Sequence, residues 1–272
     1  MKNILVLGAD GMLGSAVEFF FSTKKDFRLF CSSRNNQPKK NKIVFDALKN
    51  KVEELNSSFK VDYIINCIGI IKPLIAKDIY NAIYINSLFP IDLANYCFEN
   101  NIKLIHITTD CVFSGQKGFY DEDDYHDALD VYGKSKSLGE PNNSMVLRTS
   151  IIGKEINNNS KSLISWIVSQ KNGEINGFEN HYWNGVTTNY LAEIIYQIII
   201  KNIYKCGIFH IHSPNFVSKY ELLKLINDTF KLNIKINKIN EETLIDRRLN
   251  SIHDLSKKLV IKTIQNQIQE LI

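Results

Sequence analysis

Proline is scarce, five residues in 272, and glycine supplies only 13, so no flexible Pro- or Gly-rich linker separates tethered units. The five cysteines, Cys31, Cys67, Cys97, Cys111 and Cys206, are odd in number, widely spaced and without a Cys-x-x-Cys pair. That pattern excludes a disulfide framework and a thiolate zinc centre, and it points to reduced thiols in a cytoplasmic protein. No run reaches the roughly 18 apolar residues a membrane span needs. The opening MKNILVLG is too short for a secretory leader and lacks a small-residue cleavage site. Charge of one sign is missing too. The 33 Lys and Arg against 29 Asp and Glu leave a net +4, scattered without a basic face, so neither nucleic acid nor a membrane is expected as a partner.

What is present is an ordinary globular composition, 44% hydrophobic and 23% charged, in a chain long enough for one large domain and a smaller lobe. Short apolar runs recur: NILVLG at 3–8, FRLFC at 27–31, KIVF at 42–45, YIINCIG at 63–69, KLIHIT at 103–108 and MVLRT at 145–149. Continuous runs of this kind suit parallel strands buried on both faces. Helical periodicity between them, at Ala16–Phe21 and Asp92–Phe98, predicts an α/β, Rossmann-type doubly wound parallel sheet. Beyond residue 150 the alternation weakens, with helices expected at 162–170, 189–200 and 219–230 and a strand near 208–212. Residues 1–150 with about 184–212 are expected to form the dinucleotide-binding domain. Residues of about 151–183 with 213–272 then form a smaller C-terminal α/β substrate lobe.

Directly after the first strand comes GADGMLG, with Gly8, Gly11 and Gly14 spaced for a tight turn, close approach of a pyrophosphate and packing of the next helix. The position between a strand and a helix is the context that gives the pattern weight. At the end of the second strand the sequence reads CSSRNN, with Ser32, Ser33 and Arg34 and no acid. Hydroxyls and a guanidinium suit a 2′-phosphate, so NADPH is favoured, with NADH as the second candidate. Asp46, after the third strand, is placed to accept from the adenine amino group; an acid there also serves as a turn former.

In VYGKSKSLGE, Tyr132 and Lys136 stand four residues apart and share a helix face. A nearby ammonium stabilises a phenolate, bringing the tyrosine toward proton exchange at neutral pH. Upstream, KLIHI runs into TTDCVFSG and delivers Thr108, Thr109 and Asp110 to the carboxyl edge of the sheet, where open α/β folds bind ligands. A hydroxyl there can donate to a carbonyl oxygen as charge develops on it.

These three segments in this order resemble an extended short-chain dehydrogenase/reductase, and within that group the chain is most similar to the dTDP-4-dehydrorhamnose reductase family. LRTS at 147–150, GIFHI at 207–211 and RRLNS at 247–251 resemble family landmarks too. The resemblance implies an NADPH-type hydride donor, a nucleotide-linked 4-keto-6-deoxy sugar as substrate, and roles for Thr109, Tyr132 and Lys136 as argued. It also implies that the glycine segment from Gly8 through Asp10, Gly11, Met12 and Leu13 to Gly14 touches the cofactor. Asp46, Ala47 and the turn of Cys67, Ile68 and Gly69 are expected to do the same. Three positions depart from the family. Ile151 replaces an aromatic residue that contacts the sugar or base. Ala16 stands where some bacterial members carry a glutamate that helps bridge a dimer through magnesium, so no metal is expected. Cys111 replaces a tyrosine, and it is a poor substitute for the glutamate that sister dehydratases use, which disfavours dehydration.

The second lobe is expected to supply specificity. FENHYWNGVTT at 178–188 offers Trp183 and Asn184 for stacking a base or gripping a sugar, or Trp183 as a packing anchor between lobes. Arg247 and Arg248 are candidates to clasp the pyrophosphate. Lys72, in IGIIKP, edges the cleft, and Ile151 and Asp110 complete the candidate substrate contacts. A homodimer is compatible with the family. Two other readings stay open: a nucleotide-sugar 4-epimerase, and a non-catalytic NADP-binding regulatory subunit resembling that of methionine adenosyltransferase.

Overall fold

In the computed structural model, residues 1–34, 41–56, 60–155 and 162–272 are described. Ile4, Leu5, Val6 and Leu7 of the first strand, β1 (Lys2–Leu7), are all sealed from solvent. Ile4 and Val6 face one apolar cluster and Leu5 and Leu7 the other. A strand with helices on both faces must be apolar at successive positions, and each such side chain contributes about 2 kcal/mol on burial.

The chain continues through α1 (Met12–Ser22), β2 (Phe27–Ser33), β3 (Lys42–Val44), β4 (Tyr63–Asn66), α2 (Lys72–Ile75), α3 (Ile79–Ile83), α4 (Phe89–Glu99), β5 (Lys103–Thr109), α5 (Val131–Leu138) and β6 (Met145–Thr149). Then follow β7 (Ile151–Ile152), α6 (Leu163–Ser169), β8 (Glu174–Phe178), β9 (His181–Trp183), β10 (Val186–Thr187), α7 (Thr188–Ile200) and β11 (Gly207–His210). The last elements are β12 (Val217–Ser218), α8 (Lys219–Phe230), β13 (Lys235–Ile239), β14 (Ile245–Asp246), α9 (Leu255–Leu259) and α10 (Ile264–Gln269).

Seven strands form one sheet in the order β11-β6-β5-β4-β1-β2-β3, and every neighbouring pair is parallel. This is the Rossmann-type α/β architecture expected. The chain builds outward from β1 to β3 and then returns to lay β4 on the other side of β1. The carboxyl ends of β1 and β4 therefore diverge at a switch point, where such folds open a ligand crevice.

The helix α7 buries Tyr190, Leu191, Ile194, Ile195, Ile198 and Ile199 at helical spacing, and packing of this wide face outweighs the modest helix propensity of isoleucine. Thr187 caps it by accepting from the Tyr190 amide. A separate cluster holds Ile152, Ile164, Ile175, Trp183, Leu222, Ile226, Ile264 and Ile268 together. It is built from α6, α8, α10 and the small pairings β8 with β13 and β9 with β12 and β14. Val260, late in the chain, packs back into the cluster beneath the main sheet. A capping box starts α8, with Ser218 and Glu221 each bonded to the other's backbone amide.

Candidate active site

Gly8 leaves β1 at φ +76°, in the left-handed region that favours glycine. A Cβ on Gly14 would lie 2.1 Å from the Gly8 carbonyl oxygen, so the first turn of α1 packs on the strand end only with a hydrogen there. α1 begins after Gly11 with no side-chain cap. Its first amides are thus left for an anionic group, and the cradle fits a pyrophosphate.

Around this turn the second-strand residues take particular partners. Ser32 Oγ accepts from the Gly8 amide at 3.0 Å, and Ser33 Oγ donates to Asp10 Oδ2 at 2.6 Å. Lys42 Nζ lies 3.9 Å from Asp10 and 3.5 Å from Glu18. Arg34 is exposed and has no partner among the described residues. Asp46 accepts from the Leu48 amide and pairs with Lys49 at 3.7 Å, organising its own turn. Ala47 is 5% exposed, packed with Phe45 and Leu55. Met12 and Leu13 open α1, with Leu13 in the core. Cys67 continues β4 by donating to the Leu7 carbonyl, and the Ile68 amide donates to Asn66 Oδ1. A Cβ on Gly69 would lie 3.6 Å from Lys136 Nζ. The post-β4 turn and the α5 lysine therefore meet.

At the end of β5, Thr109 Oγ1 donates to Asp110 Oδ1 at 3.1 Å and accepts from the Cys111 amide. It also lies close enough to the Tyr132 phenol to act on its ionisation. Asp130 caps α5 by accepting from Gly133, and Lys72, out on the cleft rim, holds Asp130 at 2.9 Å. Burial pushes the Tyr132 phenol well above its usual range, helped by the neighbouring Cys111 and Asp110 and opposed by the Thr109 hydroxyl. The Lys136 ammonium donates to the Ile107 carbonyl at 3.3 Å, and burial brings it down to about 8.

Asp110 is buried and raised by that burial, while Arg247 and Lys219 pull it back. Both cations therefore lie near the reacting corner. Arg247 Nε donates to the Phe113 carbonyl at 2.8 Å. Lys219, the first residue of α8, is 5.8 Å from the Trp183 ring centre.

Arg248 and Asn184 depart from expectation. Arg248 pairs with Asp246 through two nitrogens and lies among the rings of Phe119, Phe216 and Tyr182 at 3.9, 4.1 and 4.6 Å. Two of its three guanidinium nitrogens are thus engaged by Asp246, and the guanidinium packs among aromatic faces. Asn184 spends its amide on the Leu249 backbone in both directions. Trp183 is 4% exposed and packs in the second core. Ile151 is half-buried in β7.

Reading the sequence missed Asn86. It sits in a π-helical turn, Tyr84–Leu88, and brackets Ile70 by accepting from its amide at 2.8 Å and donating to its carbonyl at 2.9 Å. Such turns gather at functional sites, but a one-residue widening of a helix leaves no periodic trace. Lys219 was missed because its helix was read for its apolar face. Among the described residues no group of three or more His, Cys, Asp or Glu is placed to hold a metal, and no helix is long and apolar enough to cross a membrane.

A glycine cradle at the switch point of this sheet, beside a helical Tyr-x-x-x-Lys and a strand-end threonine, defines an extended short-chain dehydrogenase/reductase. The family model described as the RmlD substrate binding domain matches residues 1–258, and the chain belongs to that family. It is 29% identical to a dTDP-4-dehydrorhamnose reductase of Aggregatibacter actinomycetemcomitans, over 94% of this chain and 92% of that one. It is 28% identical to methionine adenosyltransferase 2 subunit beta of Danio rerio, over 85% of this chain and 75% of that one. The fold matches the dTDP-4-dehydrorhamnose reductase of Bacillus anthracis, solved in complex with NADP, with a TM-score of 0.81, 20% identity and coverage of 100% and 98%.

Proposed function

We propose that this chain is an NADPH-type reductase of a nucleotide-linked 4-keto-6-deoxy sugar. The observation that carries the reading is the meeting of Thr109, Tyr132, Lys136 and the Gly69 turn at the carboxyl edge of the sheet, beside the glycine cradle. The nicotinamide, when bound, supplies the hydride. Tyr132 keeps its proton in this buried setting and donates it to the carbonyl oxygen as negative charge builds there. Thr109 has one proton, held by Asp110 at rest; turned toward the substrate or the phenol, it steadies the forming charge. Lys136, beside Gly69, is placed to bind the nicotinamide ribose and to favour anionic oxygen in the cleft. Arg247 and Lys219 supply positive charge suited to the diphosphate linker of the substrate.

The test is to mix pure protein with NADPH and 4-keto sugar nucleotides carrying dTDP, UDP, GDP or CDP, and to follow loss of the reduced cofactor. Oxidation with one of these supports the reading, and none with all four sinks it. The likeness to methionine adenosyltransferase subunit beta favours a second reading, a cofactor-binding regulatory subunit. Tyr132→Phe separates them, because a partner-binding role survives that change and reduction does not.

A further inference from the structure

Asp10 reaches from the glycine turn to the end of β2, where Ser33 Oγ donates to its Oδ2 at 2.6 Å. A carboxylate only accepts, so the proton in that bond belongs to the serine, and any ligand approaching Ser33 meets lone pairs. The carboxyl itself remains 43% exposed. The nearest cation, Lys42, is shared between Asp10 and Glu18. This is the strand end at which dinucleotide-binding folds meet the adenosine ribose. The Asp10 and Ser33 pair therefore presents acceptors to the group on the ribose 2′ carbon, and Arg34, exposed and without a partner among the described residues, is the opposing charge.

A 2′-hydroxyl is a donor and finds a matching surface here. A 2′-phosphate brings only acceptor oxygens and negative charge, and it meets a carboxylate. From Ser32, Ser33 and Arg34 alone, the sequence argues for the phosphate; the bond to Asp10 reverses the contribution of Ser33. We propose that Asp10, through its hydrogen bond to Ser33, is the residue that holds down affinity for a 2′-phosphate, so that NADH and NADPH bind comparably. Arg34 pulls the balance toward NADPH and Asp10 pulls it back. The proposal rests on the cofactor reading above and names the residue that sets its selectivity.

Binding is measured directly, without substrate, by titrating the protein with NADH and with NADPH and following nicotinamide fluorescence or heat. The wild-type dissociation constants are expected to lie within about fivefold of each other, and Asp10→Asn is expected to shift their ratio toward NADPH by about tenfold or more. Arg34→Ala shifts it the other way. Asp10→Ser, smaller and equally neutral, repeats the first shift and guards against a fault peculiar to the amide. Damage to the fold weakens both cofactors together and leaves the ratio in place, so the ratio isolates the charge. A wild-type preference for NADPH above about a hundredfold, or a ratio that both Asp10 variants leave within about twofold of wild type, overturns the proposal while the cofactor reading stands. Failure of both cofactors to bind overturns the two together.

Discussion

Lys136 donates its ammonium to the carbonyl oxygen of Ile107 across 3.3 Å, which ties the last turn of α5 to β5. The bond holds the charge in a place with little water, and burial lowers its pKa to about 8, with Glu140 pushing back. Beneath it His106 is fully buried and held neutral, partly by this same charge. A lowered lysine pKa means the ammonium is present below pH 8 and disappears as pH rises through that value. If reduction needs the ammonium, kcat/KM, which reports the free protein, falls above pH 8 in a profile of NADPH oxidation. Lys136→Arg, charged throughout, flattens that limb at a lower rate. A wild-type profile that stays level to about pH 9.5 would rule the ammonium out as the group lost.

Tyr132→Phe removes the one proton that the geometry offers to a substrate carbonyl while leaving the ring in place. The rate of reduction is expected to fall by about a hundredfold or more, with NADPH affinity unchanged. Thr109→Val, isosteric but without a hydroxyl, also takes a partner from the buried Asp110 and from Cys111. Its rate should fall less than that of Tyr132→Phe, and Thr109→Ser should restore most of it. A Tyr132→Phe variant of wild-type rate would show that solvent protonates the product.

The glycine turn, the strands and the order of Thr109, Tyr132 and Lys136 were legible because each rests on spacing within a few residues. A strand buried on both faces must be continuously apolar, and a turn so close that a Cβ on Gly14 would fall 2.1 Å from the Gly8 carbonyl oxygen must be glycine. What was not legible depends on partners far along the chain. Arg248 read as a ligand clamp, yet its fate is set by Phe119 and Tyr182, more than sixty residues upstream. Ser33 reads as a phosphate donor, but its hydroxyl donates to Asp10, 23 residues earlier. The small strands β8 and β13 escaped notice because each alternates exposed with more buried positions over only five residues, without the continuous apolar run of the main-sheet strands.

Arg148 is wholly buried and forms a two-pronged pair with Glu140, which lies just past α5, at 3.1 and 2.5 Å. Nη1 donates to His210, and the second hydrogen of Nη2 goes to His126, each at 2.7 Å. Breaking a buried pair strands a charge, so Arg148→Met is expected to cost about 3–5 kcal/mol in urea unfolding. Because Glu140 then loses both of its guanidinium hydrogen bonds, Arg148→Met with Glu140→Gln should recover a measurable part of that loss. A single variant as stable as wild type would mean that the pair is neutral in balance.

The same guanidinium fixes how the two imidazoles titrate. Arginine only donates, so the facing Nε2 of both His126 and His210 must accept, which places their protons on Nδ1, toward Ser137 and the Asn250 carbonyl. Burial, then the Arg148 charge, lowers His210 to about 4, while Glu122 and the Asn250 carbonyl oppose the shift and His212 adds to it. His126 is lowered by burial and Arg148 against Glu140 and Asp127. Depressed histidines are neutral in the folded protein but charge in the unfolded chain near 6.5. Their share of stability is therefore complete above that value and drains away as pH falls below it, for His210 down to about 4. For His210 the full span is roughly 3 kcal/mol. The melting temperature is accordingly expected to drop by about 5 °C or more between roughly pH 7.5 and 5. His210→Gln, which keeps an acceptor for Arg148 and cannot charge, should lower stability at neutral pH but flatten the slope. An equal slope in that variant would move the acid sensitivity to the other imidazoles that burial depresses, His106, His126 and His212.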